Sequence, residues 1–443
     1  MSLSTRPSAR KLHPLQLAAV IFLTVSGGPY GLESLLSYAG SHGALLLLII
    51  TPILWDIPAI FMVLELNSMM PVTGGYYQWV KRALGLRWAF YEGWWTWLYT
   101  FADLAIYPVM FVEYASFLFP AIAAYKIPVC LAIIWSGVAL NIRGIVPVGK
   151  TAIVLSIGVL APFLLLFVLF FLHHGAVVPL PHPSLKGIEL PSMGMALYTI
   201  MWNFIGWDNS TTYAEEVEKP IRTYLISTSI GFIGVFAVYL LTIIVAQQSG
   251  ISADMLSDNK FPALGALIGG HWLGMLIAAG GMASSLGLFS AVLLSVSRIP
   301  KVMSDDKLLP PVIHRLHRKY NTPYVSIIIC GVVVSGLVLF TFADLVLMDV
   351  TVYGAGLLLE FISLIVLRYK MADAHRPFKI PLNAAGLCIM VLLPVGVFAI
   401  ALTGAFSSSG KPLAPVLLTV AALCSAEIIW QFIRLFHARR ARA

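Results

Sequence analysis

Apolar residues run along this chain in long blocks that polar residues punctuate rather than alternate with. Twelve blocks read as membrane spans, roughly 14–38, 43–67, 88–118, 127–142, 148–172, 192–213, 222–248, 264–298, 324–342, 345–367, 384–405 and 412–436. A bilayer core about 30 Å thick needs about 20 helical residues. The pattern therefore predicts an all-α integral membrane protein with twelve transmembrane helices. It divides the chain into a tail (1–13), five spans (14–172), a loop (173–191), five more spans (192–367), and two final spans with a tail (368–443).

Two blocks are interrupted. In the first, Ser26-Gly27-Gly28-Pro29-Tyr30-Gly31-Leu32-Glu33 gathers three glycines and a proline where a span needs continuous helix. The freed N–H and C=O groups would cost several kcal/mol each against lipid, so such backbone belongs against protein or a water-filled cavity. The sixth block carries Trp202-Asn203-Phe204-Ile205-Gly206-Trp207-Asp208-Asn209, with three polar side chains beside one glycine. Broken helices in matching positions of two five-span sets predict an inverted repeat with a substrate site at the breaks.

Composition agrees: 59% of residues are hydrophobic, 11% are charged and the mean hydropathy is +0.89, which excludes an ordinary soluble domain. The polar, basic N-terminus and the lack of a small-residue cleavage site predict that the first span is retained. Lys126, Lys186, Lys260 and Lys411 are the only lysines or arginines in the loops after odd-numbered spans; 24 of 28 lie at the opposite face or in the termini. The positive-inside rule then places both termini in the cytoplasm of a cell membrane. The net charge of +8 lies against anionic lipid, with no nucleic acid implied. Cys130, Cys330, Cys388 and Cys424 each sit alone in a span and are expected to be small core residues. No metal-ligand spacing, cofactor motif or nucleophile–base constellation is present, so an enzyme is not expected.

Intramembrane acids are the informative residues, because one near a helix centre costs about 2.5–3.5 kcal/mol and needs a partner, a proton or a cationic ligand. In the third span, Trp95, Tyr99, Asp103, Tyr107, Met110 and Tyr114 recur at steps of three or four and share a face. Glu113 lies nearer the outer end and is expected to be solvated. In the tenth span Tyr353 and Glu360 stand seven apart, with Gly354 and Gly356 between them. Asp56 and Glu65, in the second span, are read as solvated or paired.

Three stretches resemble signatures of the amino acid–polyamine–organocation superfamily: Glu65 to Arg82; Gly206-Trp207-Asp208-Asn209 with Glu215-Glu216-Val217 and Pro220; and Arg298 with Asp305, Leu309-Pro310 and Thr322-Pro323. The first interruption, together with Trp55-Asp56-Ile57-Pro58, Gly74-Gly75-Tyr76, Asp103-Leu104-Ala105-Ile106-Tyr107-Pro108-Val109 and Trp202-Asn203, is similar to its polyamine-uptake and L-type-like branch. The resemblance implies a LeuT-type five-plus-five fold, proton-coupled uptake of polyamines or amino acids, and an aromatic gate at Trp202. Ser34 stands where the branch often has a second acid, Gly206 looks more like the amino-acid permeases, and Ser156 to Leu160 lacks the lysine of some proton-coupled relatives.

An amino-acid carboxylate would dock on free N–H groups at the first break, for which Gly27, Gly28, Tyr30 and Gly31 can supply donors and Pro29 cannot. Glu33, if ionised, opposes that carboxylate and favours an ammonium; alternatively it is protonated or satisfies backbone donors. Asp103 and Asp208 add acidic partners, and Tyr30, Tyr107, Trp202 and Trp207 add aromatic faces for a cation. With Ser26, Asn203, Phe204 and Gly206 these residues make up the expected substrate site. Glu33, Asp103 and Glu360 are the expected proton carriers. The expected activity is import of polyamines or cationic amino acids by alternating access, with a neutral or broad-range amino-acid permease or exchanger as the alternative. A sensor or a channel fits less well.

Overall fold

The computed structural model describes residues 12–144, 150–174, 184–217, 219–313, 315–407 and 413–440. Most of the N-terminal tail and residues 175–183 of the 173–191 loop lie outside them, as do Lys411 and the end of the C-terminal tail. The helices are α1 Pro14–Val25, α2 Leu35–Thr51, α3 Ile57–Met69, α4 Gly75–Leu84, α5 Leu86–Leu118, α6 Lys126–Ile142, α7 Lys150–His174 and α8 Leu190–Phe204. There follow α9 Pro220–Gln248, α10 Ala253–Gly269, α11 His271–Val296, α12 Arg298–Asp305, α13 Tyr324–Leu337, α14 Phe342–Lys370, α15 Ala384–Phe406 and α16 Leu413–Arg440. Among the described residues, nine helical segments are long and apolar enough to cross a membrane. Within the other three expected spans, 14–38, 192–213 and 324–342, the helices α1, α8 and α13 are shorter than that length.

Local chemistry explains where helices stop. α1 ends at Val25 because the glycine-proline run begins there, and Gly27, Gly28 and Gly31 all take positive φ. The rest of the first expected span is the opening of α2, which turns at Gly40 (φ 62°) into the second, so no separate loop divides them. A π-helical turn at Pro52–Asp56 then leads into α3. The eighth expected span is displaced: Gly270 (φ 86°) closes α10, and the crossing helix starts only at His271.

Burial sorts the helices into a core and a shell. In their most apolar windows α5 and α14 bury 72% of residues, and α16 buries 11%. The shell exposes Leu, Ile, Val and Phe side chains, as a lipid-facing surface does. Cys388 and Cys424, on α15 and α16, are exposed there, which corrects their expected core placement; Cys130 and Cys330 are buried. Trp95 turns from the α5 stripe toward α16, where its N–H donates to the Leu423 carbonyl at 3.2 Å. Each step of four residues rotates the face by about 40°, which carries Trp95 off it.

The end where α4 and the Arg368 terminus of α14 meet is closed by ion pairs. Glu65, on α3, accepts from Arg368 of α14, lies 3.3 Å from Arg376, and receives the Ile380 N–H at 2.9 Å. Nearby, Asp306 binds Lys81 at 2.6 Å and accepts the Tyr77 hydroxyl at 2.6 Å. Burial, reinforced by Asp306, pushes the Tyr77 phenol above its ordinary value, so it remains a donor.

α8 and α15 cross on glycine. A Cβ at Gly194 would lie 2.3 Å from Ala405 N, and one at Gly404 2.3 Å from Leu190 O, so backbone meets backbone with no flexible side chain to yield. Gly194→Ala and Gly404→Ala are expected to destabilise the purified protein by about 1–3 kcal/mol. Gly396→Ala, with nothing within 4 Å, is expected to be neutral. Thermal melts in one detergent check this, and equal melting of all three variants contradicts it.

Candidate functional site

The two helix breaks lie against each other inside the bundle, and side chains satisfy their backbone. The Tyr239 hydroxyl on α9 sits 2.6 Å from Ser26 Oγ in the first break and 3.0 Å from the Asn203 carbonyl at the end of α8. Ser284 on α11 donates to the Gly27 carbonyl. Gly206 (φ 97°) stands in the second break, where a Cβ would come within 3.1 Å of the Thr24 carbonyl. One residue type fits that contact and that φ, and it is glycine.

The glycine N–H groups of the first break are occupied. Gly27 N–H donates to Phe22 O (2.8 Å), Gly28 N–H to Ser26 Oγ (3.1 Å) and Gly31 N–H to Glu33 Oε2 (2.7 Å). Glu33 also receives the Tyr114 hydroxyl and faces Lys260. Glu113 is not solvated alone: Lys260 Nζ lies 3.5 Å from it, because positive φ at Lys260 folds α10 back toward α5.

Beside the breaks is a cavity of ≈ 10 Å³, room for about one water. Of the expected site residues, Ser26, Asp103, Tyr107, Trp202, Asn203 and Gly206 line it, joined by Tyr99, Asn209 and Tyr353. Asp103 accepts the Tyr107 hydroxyl at 2.7 Å and the Trp202 indole N–H at 3.4 Å. Trp202 packs edge-on against Phe342, 5.3 Å between centroids, and closes over Gly31.

Gly27, Gly28, Tyr30, Gly31, Glu33, Phe204, Trp207 and Asp208 lie outside the lining. Tyr30 points into the core, where it contacts Tyr114 and Phe163 and donates to the Ile277 carbonyl. Phe204 packs on Tyr239 and Phe232. Trp207 is buried facing Asp56, whose two carboxylate oxygens make no hydrogen bond. Asp208 accepts the Tyr353 hydroxyl at 3.2 Å, and Tyr353 in turn accepts the Gly206 N–H at 3.5 Å.

Two acids escaped the sequence reading. Asp349, on α14, is fully buried, faces Asp103 and has no hydrogen-bond partner on either oxygen. Glu92, on α5, lies with Oε1 3.1 Å from the Cβ position of Gly356 and faces Asp208 and Glu360. Their signal was available: Asp349 is four residues before Tyr353, and Glu92 extends the Tyr99–Asp103 stripe two turns back. Among the described residues, no three His, Cys, Asp or Glu side chains are placed to hold a metal ion.

A family profile described as Amino acid permease matches residues 12–423. The chain belongs to that family. It is a multi-pass secondary transporter of the amino acid–polyamine–organocation superfamily, and not an enzyme. A probable polyamine transporter of Arabidopsis thaliana is 35% identical over 88% of this chain and 82% of its own length. The polyamine transporter RMV1 of Arabidopsis thaliana is 33% identical (87% and 79%), and PUT1 of Oryza sativa subsp. japonica is 32% identical (89% and 74%).

In this permease Glu33 has two donors to satisfy, so Glu33→Gln, with one acceptor oxygen, leaves a buried donor unpaired. The expected loss is about 1–3 kcal/mol of stability. Tyr114→Phe, which removes one of those donors, should relieve part of that loss in the double variant. A double-mutant cycle on thermal melts checks the coupling; strict additivity contradicts it.

Proposed function

We propose that this permease imports polyamines, or cationic amino acids, across a cell membrane with its termini in the cytoplasm, by proton-coupled alternating access. The observation that carries this is Asp103 on the cavity wall, with Asp349 buried behind it outside the lining and facing it. Two desolvated carboxylates, one without any hydrogen bond, face each other, and no Lys or Arg lines the cavity. An alkylammonium supplies the missing charge and donors together. Tyr99, Tyr107, Trp202 and Tyr353 give the aromatic wall that suits such a cation.

Occupation of the three glycine donors of the first break supports the same choice. An amino-acid carboxylate needs those N–H groups, and Glu33 and Ser26 already accept from Gly31 and Gly28. Glu33 acts as the internal cap of the break rather than as the substrate's partner, and Lys260 offsets its charge. Trp202 is the gate above the cavity, and the paired breaks serve a five-plus-five inverted repeat. At ≈ 10 Å³ the cavity is too small for any polyamine, so binding requires the gate to open. The names of the relatives at 32–35% identity favour polyamines among the cations.

Thermal stabilisation of purified protein by putrescine, spermidine, arginine, lysine, leucine and alanine tests the substrate class. A ligand at 100 times its Kd stabilises by about 2.7 kcal/mol. Polyamines are expected to raise the melting temperature, and Asp103→Asn to abolish the rise while the unliganded variant still melts cooperatively. Stabilisation by leucine or alanine with none from polyamines would falsify the cationic assignment.

A further inference from the structure

α5 and α14 run antiparallel in a strict register that sets their acids in two tiers. Asp103 faces Asp349 at one tier, Tyr99 and Tyr353 meet edge-on at 5.3 Å, and Glu92 reaches Gly356 and Glu360 at the other. The tiers are eleven residues apart on both helices, about 16 Å at 1.5 Å per residue. The first lies at the central cavity. The second, Glu92, Asp208 and Glu360, lies toward the end where α5 begins and α14 finishes in Arg368 and Lys370.

We propose that this second tier is a dedicated proton site, separate from the carboxylates that hold the substrate ammonium. The inference rests on the transport reading above. Every group facing the cluster is an acid or a neutral donor: Tyr76 from α4, Thr96 and Tyr99 from α5, and Tyr353 from α14. Glu92 Oε2, Glu360 Oε2 and the Tyr76 hydroxyl are buried with no hydrogen-bond partner. Tyr76 is not an acid of the cluster, yet it is fully buried and faces Asp208, Glu92 and Glu360, with Thr96 beside it. Three like charges cannot share a desolvated site uncompensated, and the arrangement does not suit a metal ion. A proton on one carboxyl removes that charge and supplies the O–H that the unpartnered oxygens lack.

Tyr99 and Tyr353 both line the cavity and face the cluster, and Tyr353 is hydrogen-bonded to it. Tyr353 lines the cavity, donates to Asp208 and accepts from Gly206 N–H in the second break. Proton binding at the cluster weakens the demand of Asp208 for that hydroxyl and so frees the Gly206 backbone to move. Proton and substrate thus occupy different acids but bias the same segment.

Reconstituted vesicles distinguish this from its rivals. Glu92→Gln and Glu360→Gln, which imitate the protonated carboxyl, are expected to lower pH-gradient-driven polyamine accumulation at least tenfold while radiolabelled polyamine counterflow stays within twofold of wild type. Asp103→Asn should lose both. Full gradient-driven accumulation by both glutamine variants overturns the proposal, and so does loss of counterflow, which would make the cluster a substrate station. If the glutamine forms do not fold, Glu92→Asp and Glu360→Asp carry the test. A displaced pH optimum of accumulation with unchanged counterflow supports the proton site, and an unmoved optimum overturns it. Wild-type vesicles that transport no polyamine at all would instead remove the transport reading itself.

Discussion

Backbone polar groups deep in an apolar bundle must find partners within the protein, and the two helix breaks are organised by that requirement. Glycine permits the chain to leave the helix at Gly27, Gly28, Gly31 and Gly206; it does not by itself satisfy the groups released. Neighbouring helices do so. Tyr239 joins Ser26 to Asn203, Ser284 holds Gly27, and Glu33 caps Gly31. The breaks are therefore tied to each other and to α9 and α11, and movement at one is felt at the other. A conformational cycle that opens the cavity has to exchange these bonds rather than simply lose them.

Charge is distributed by the same logic of partners. Where a carboxylate has a structural duty it has a cation: Glu65 meets Arg368 and Arg376, Asp306 meets Lys81, and Glu33 faces Lys260. Asp103, Asp349, Glu92, Asp208 and Glu360 have no such neighbour among the described residues, although all are buried. A buried acid without a cation is costly, and five of them lie along or against the α5–α14 seam. The placement of Glu92 and Asp103 on α5 and of Asp349 and Glu360 on α14 follows from helical periodicity.

The periphery carries different constraints. α15 and α16 expose apolar side chains and two cysteines to what the bilayer would cover, and they join the core through small contacts such as the Gly194–Gly404 crossing. Packing at that crossing leaves no room for a side chain, so it fixes how α15 rests on α8 and hence where α8 ends beside the site.

The sequence by itself determined the class, the approximate spans and both breaks, because hydropathy and glycine-proline chemistry are local properties of the chain. It also placed Asp103, Tyr107, Trp202, Asn203, Ser26 and Gly206 at one site, through stripes and interruptions that need no knowledge of partners. Only the tertiary structure decided what each polar group faces. The sequence leaves Glu33 open between a substrate ammonium and backbone donors, and the fold sets Gly31, Tyr114 and Lys260 around it; the glycine donors read as free until Phe22, Ser26 and Glu33 accept from them. Asp349 and Glu92 were present in their spans all along. Their significance arises from the register of α5 against α14, which joins residues some 250 positions apart, and no local pattern encodes such a pairing.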